Sequence, residues 1–210
     1  MHKLHRPTTP RCLSRYKYGR DNWGTVSTID KNEIWIQLDS MQQSRCAYCE
    51  SAISELIGQH IEHFIQRTKH KALTFEWTNI FGACRNHGYC ADHKDDSEVV
   101  YDTTHIIKPD VEDPDNFFIF VSDGKIKPRE QLNPDDLHRA TETIRVFNLN
   151  SPSLQGRRAT VVGGVWQTLE DLKGFAAEFS ESEWMPFYVS ELDRVEQQPF
   201  STALRHALVF

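Results

Sequence analysis

Two cysteine pairs, Cys46-Ala47-Tyr48-Cys49 and Cys84-x5-Cys90, bracket 34 residues and constrain this chain more than any other feature. Zinc takes four soft ligands at the corners of a tetrahedron, and a Cys-x2-Cys turn supplies two of them without strain. The pairs therefore read as the two halves of one zinc site, although the second spacing is wider than a usual knuckle. His87 lies inside that wide loop and could replace Cys90 as the fourth ligand. Cys12 stands apart and reads as a small core residue. An odd count of five cysteines argues against a disulfide framework, as does a reducing compartment. That compartment is expected because the first residues lack an apolar signal core, and no stretch approaches the ~18–20 apolar residues of a membrane span. We therefore expect a cytoplasmic protein with no membrane partner.

The pattern around the pairs is mixed. Residues 1–29 are rich in Arg, Pro, Tyr and Thr and read as an irregular, loosely packed arm. Asp30-Lys31-Asn32-Glu33 offers capping chemistry, and Ile34, Leu38 and Met41 then recur at helical spacing, which predicts a helix over 31–43. Gln59 to Phe64 is a plausible strand, 72–81 is expected to be partly extended, and the run after Cys90 can open a short helix. Residues 116–121 and 125–127 around Asp123-Gly124 read as a β-hairpin. Asn133-Pro134-Asp135-Asp136 is a strong helix start, with an apolar stripe from Leu137 to Phe147. A second helical region covers 153–179, with Trp166, Leu169, Leu172, Phe175 and Phe179 on one face and a weak point at Gly163-Gly164. The tail from Tyr188 reads as further helix, broken near Pro199.

A zinc closed by four thiolates has no open position, so chemistry must come from other residues. His60-Ile61-Glu62-His63 lies between the cysteine pairs. Glu62 offers a hard oxygen to a divalent metal. His63 offers a general base, with an unperturbed pKa near ~6.5. Strand alternation sends neighbouring side chains to opposite faces, so the two meet at one site only if the backbone twists there. Asn79 could hydrogen-bond across a loop and hold the His63 strand. Asp92, His93, Asp95 and Asp96 follow Cys90, and any of them could complete the site; His93 and Asp95 are the expected ones. The plain alternatives are a polar surface cluster, a turn residue and a solvated helix start.

Taken together, Cys46-Ala47-Tyr48-Cys49-Glu50, His60 to Phe64, Glu76-Trp77-Thr78-Asn79, Cys84 and Cys90 to Asp95 resemble the HNH endonuclease family. They are most similar to the PtuB-type nucleases of bacterial Septu and retron anti-phage systems. Asp113-Pro114-Asp115, Glu142 to Asn150 and Arg157-Arg158 extend the likeness over most of the chain from about residue 20. The resemblance implies an α+β fold, with a ββα-metal core and structural zinc embedded in a largely helical support. Residues 30–110 would form the nuclease module, with 1–29 an arm and 111–210 a hairpin plus helices packed on the same unit. It also implies metal-dependent DNA cleavage. Cys46, Cys49, Cys84 and Cys90 would bind zinc, and Glu62, His93 and Asp95 would hold Mg²⁺ or Mn²⁺. His63 would be the base and Asn79 would orient its loop, so that His63, Glu62, Asn79 and His93 form the catalytic set. The implied partners are an ABC/SMC-like ATPase of the PtuA type and, in some systems, a retron reverse transcriptase with its DNA–RNA hybrid. The chain departs from the family at the second knuckle, where Cys-x2-Cys is usually followed directly by Asn or His. Here the spacing is x5 and Ala91 holds the next position, which leaves the third metal ligand open.

Net charge is −6 and the pI about 5.9. Neutralising phosphates supplies most non-specific affinity for nucleic acid, so a free-standing nuclease should be basic. An acidic chain fits the cutting subunit of an assembly better. The competing class is a non-catalytic zinc module that binds nucleic acid or scaffolds a complex.

Overall fold

The computed structural model describes residues 1–86, 88–96 and 98–209; His87 lies outside the described residues. Helix α1 spans Thr28–Gln42, with Ile34, Leu38 and Met41 on its buried face. It starts earlier than the Asp30 run suggests, because Ser27 is the cap: its Oγ accepts from the Asp30 N–H at 3.1 Å. The Asp30 carboxylate is instead held by Arg15, Tyr16 and Ser27. Strands β1 (Gln59–His63) and β2 (Ile80–Cys84) pair antiparallel, with His63 opposite Ile80 and Gln59 opposite Cys84. The short helix α2 (Cys90–Lys94) follows. A second antiparallel pair joins β3 (Phe118–Phe120) to β4 (Ile126–Pro128).

Five helices complete the α+β chain: α3 (Pro134–Val146), α4 (Pro152–Gly164), α5 (Trp166–Glu178), α6 (Glu181–Glu196) and α7 (Ser201–Ala207). Asn133 caps α3 by accepting from the Asp136 N–H, with Pro134 in the first turn. The Gly163-Gly164 weak point becomes a break at Val165. Among the described residues no helix is long and apolar enough to cross a membrane.

The first 29 residues are not a loose arm. Met1, Leu4, Cys12, Leu13 and Val26 are buried in the main core. Arg6 donates to the carbonyls of Trp77 and Ile80 at 2.7 and 2.9 Å, and its guanidinium lies 4.3 Å from the Phe81 ring centre. Isolated apolar residues without helical or strand period gave no sign of this packing. The core continues through Tyr48, Phe64 and Phe81 to Phe147, which stacks on Tyr48 at 4.1 Å. The end of α3 is thereby fastened to the first cysteine turn.

Candidate metal centre and adjoining cleft

The first cysteine turn is set against β2 by two kinds of backbone capture. Ala47 N–H donates to the Gly82 carbonyl at 3.1 Å. The buried Gln42 amide, at the end of α1, accepts from Gly82 N–H and donates to the carbonyls of Gly82 and Arg45. A side chain at Gly82 would place Cβ 2.8 Å from the Trp35 ring, so the ring would have to shift to admit one. Cys84 ends β2, and Cys90 opens α2 with a left-handed backbone (φ 58°), fixed by its N–H to the Phe147 carbonyl at 2.8 Å. The wide second loop thus returns its cysteine to the same point.

All four sulfurs are buried and lie within 4.8 Å of one another. Cys49 and Cys84 are 3.8 Å apart, and a tetrahedron with Zn–S bonds of ~2.3 Å has edges of ~3.8 Å. Burial would raise the Cys49 thiol, but hydrogen bonds from Cys46, Cys84 and Cys90 hold it well below its usual value. Neighbouring cysteines push Cys84 up, and burial followed by the same neighbours raises Cys90. A bound cation would stabilise thiolates crowded this closely. This cluster could hold a metal such as zinc. A second group, Cys12, Asp30 and Glu33, also lies within ligand distance. Its atoms are engaged otherwise: Asp30 as above, Glu33 by the Cys12 N–H, and the Cys12 thiol on the Asp30 carbonyl. Burial pushes the Cys12 thiol up to about 11, so it acts as a packed core residue.

Beside the cysteine frame, β1, α2 and the arm enclose a cleft of about 770 Å³. Glu62 and His63 both line it, as do His60, Asp92 and Asp95. The alternation of β1 does not separate Glu62 from His63, because the strand ends at His63. The His63 Nε2 lies 2.9 Å from the Thr74 carbonyl, which can only accept, so Nε2 carries the proton and Nδ1 keeps its lone pair. Burial lowers the His63 pKa to about 4, below the unperturbed value, and the ring is neutral at pH 7. Trp23 meets the His63 ring edge-on at 4.5 Å. Asn79 accepts from Ile65 N–H at 2.8 Å and donates to the carbonyls of Ile65 and Leu73, while its own carbonyl takes Phe64 N–H. It pins the chain on leaving His63.

Burial raises the Glu62 carboxyl to about 7, opposed by Lys94 and Tyr48, which both bond to it. Lys94 is fully buried, and its ammonium lies 3.1 Å from Glu62 Oε1 and also meets Asp95. Burial works against that charge, and the two carboxylates raise its pKa nonetheless. His93 turns away: its Nδ1 lies 2.9 Å from the Val146 carbonyl, and it does not line the cleft. His60 and Asp92 face each other instead, at 3.8 Å. Asp96 is exposed and does not line the cleft either.

Glu62, His63, Asp95 and Asp92 are therefore brought to one cleft, Asn79 supports it from behind, and His93 and Asp96 lie outside it. Sequence reasoning missed Lys94 and Trp23. Lys94 stands between acids that read as a solvated helix start, and Trp23 lies in a stretch without periodicity. Comparison with known proteins finds no matching family and no similar curated protein.

Proposed function

We propose that the chain is a metal-dependent endonuclease of the HNH type, similar to the PtuB-type nucleases, hydrolysing or nicking DNA. The observation that carries this reading is His63. Its Nε2–H is committed to the Thr74 carbonyl and its Nδ1 keeps a lone pair, on a neutral ring lining a cleft with buried Glu62. A neutral imidazole with a free Nδ1 can take a proton at pH 7, as a weaker base than an unperturbed histidine because burial holds its pKa at about 4. Nδ1 takes the proton of a water whose oxygen attacks phosphorus. The bond to the leaving oxygen breaks, and that oxygen is protonated from solvent. Asn79 keeps the chain beyond His63 in place, and Trp23 limits the tilt of the ring. Arg20, Arg67 and Lys71 line the same cleft and suit the phosphates of a nucleic-acid backbone.

Carboxylate oxygens predominate among the donors of the cleft and suit a hard divalent cation by type. Among the described residues they do not converge within 4.8 Å as the four cysteines do, and Lys94 lies against Glu62 and Asp95, so an ion would have to draw them together. Glu62, Asp92 and Asp95 with His60 are the residues that would hold Mg²⁺ or Mn²⁺; His93 does not fit that role. When bound, the ion would supply Lewis-acid stabilisation of charge on the phosphate. The four-cysteine cluster would hold zinc and fix β2 and α2, from which the cleft is built. The acidic balance of the chain favours a cutting subunit whose ATPase partner, of the PtuA type, supplies much of the grip on nucleic acid.

The test is nicking of supercoiled plasmid by zinc-loaded protein with Mg²⁺ or Mn²⁺, alone and with the ATPase, alongside a metal titration. We expect divalent-dependent nicking and a second, weaker ion site besides zinc. Zinc as the sole bound ion with no nicking in either mixture would leave the non-catalytic zinc module as the better reading.

A further inference from the structure

The hairpin of α5 and α6 contributes nothing to the cleft and little to the core. Only Leu172 and Val195 of its two helices are buried. Its apolar contacts go to a small cluster of its own with Val165, Leu204 and Leu208, apart from the main core. At its turn Phe175, Phe179 and Phe187 gather with ring centres 5.9 to 6.1 Å apart, yet stay 42%, 49% and 61% exposed. Trp166 and Val189 on the same hairpin are 52% and 47% exposed. Scattered exposed apolar residues need no explanation, but a contiguous aromatic group does.

Charge adds the second observation. Residues 166–196 carry eight acidic side chains against two basic ones, a net of −6, which is the net charge of the whole chain. The rest of the chain is balanced, so the acidity discussed above is concentrated on this one projection. The two bases, Lys173 and Arg194, are paired within their own helices to Glu170 and Glu191.

We propose that the α5–α6 hairpin is a docking face for a different protein that presents an apolar groove rimmed by Lys and Arg. The aromatic group supplies the anchors typical of interface centres, and the surrounding acids supply steering and register. Charge excludes the other occupants. A second copy laid hairpin to hairpin would bring two −6 faces together, and nucleic acid or an anionic lipid surface would be repelled. The proposal does not depend on the chemistry of His63. It relocates the acidic excess from the substrate side to the partner side.

The test places photoreactive benzoylphenylalanine at Phe187 of the full chain in its native cells, with Ile36, exposed on α1, as the control position. We expect one predominant protein adduct at 187 and none at 36. That protein, once purified, should bind the wild-type chain, weaken with added salt, and bind a Phe175→Ser/Phe187→Ser variant at least tenfold less well. The variant must keep its zinc and its melting temperature, which separates lost docking from lost folding. No protein adduct at 187 overturns the proposal. So does an adduct to the chain itself, to nucleic acid or to lipid, or a purified protein that binds both forms equally.

Discussion

The cysteine-framed cleft and the α5–α6 hairpin use polar and apolar residues in opposite ways. Around the cleft, Glu62, Lys94, Asn79 and Gln42 are buried and bonded to named partners. Glu62 meets Lys94 and Tyr48, Asn79 meets the Ile65 backbone, and Gln42 meets Gly82. On the hairpin, aromatic side chains face solvent and the acids are hydrated. A buried pair makes each member costly to lose, because its partner is left uncompensated. An exposed ring contributes little to stability. Stability therefore accounts for the first region and not for the aromatic group of the second.

This contrast can be broken by substitution, beginning with the largest effect. Cys84→Ser removes one corner of the sulfur tetrahedron, and loss of a structural metal belongs to the changes that cost about 4–5 kcal/mol or more. We expect zinc in elemental analysis to fall below one per chain and the cooperative melt to be lost. Lys94→Met leaves Glu62 buried without its ammonium, which should cost about 3–5 kcal/mol in urea unfolding. A Lys94→Met protein as stable as the parent would remove the buried pair from the account.

Asp115 gives a smaller, pH-dependent effect at the seam between the hairpin support and the body. Its carboxylate bonds His206 of α7 at 2.6 Å, together with Arg129 and Arg205. The His206 hydrogen bond, reinforced by the neighbouring charges over the opposing effect of burial, holds Asp115 at about 2. A folded pKa below the unfolded value of about 3.9 stabilises above that pH and is lost as pH falls toward 2. Asp115→Asn should therefore melt below wild type at pH 5, with the gap closing near pH 2. The smallest effect is expected at Phe187→Ser, where stability should change by no more than about 0.5 kcal/mol, since the ring is mostly exposed. A large loss of melting temperature there would make the hairpin aromatics part of the fold.

Much of the cysteine-framed region is legible in the sequence. Cysteine spacing is a strong signal because tetrahedral geometry admits few alternatives, and Asn133-Pro134 marks a helix start whose chemistry is local. The bounds of α1 shifted because Asp30 found long-range partners in Arg15 and Tyr16, which no local rule anticipates. The arm was misread for a similar reason. Met1 is buried and Arg6 half-buried by contacts more than 45 residues away, with Glu50 and Trp77. His93 and Asp92 are adjacent in one short helix, so spacing could not decide which faces the cleft; packing against the Val146 carbonyl decides it. The apolar stripe from Trp166 to Phe179 was visible, but burial of only Leu172 was not, because a stripe does not say what covers it.

The account rests most heavily on His63 as the base of the cleft. The direct measurement is the rate of divalent-dependent plasmid nicking by wild type, His63→Ala and His93→Ala, each confirmed to hold zinc. Removing a general base costs ~10²–10⁴-fold, so His63→Ala should lose at least about a hundredfold while His93→Ala stays within a few-fold of wild type. A His63→Ala protein that nicks as fast as wild type would contradict it.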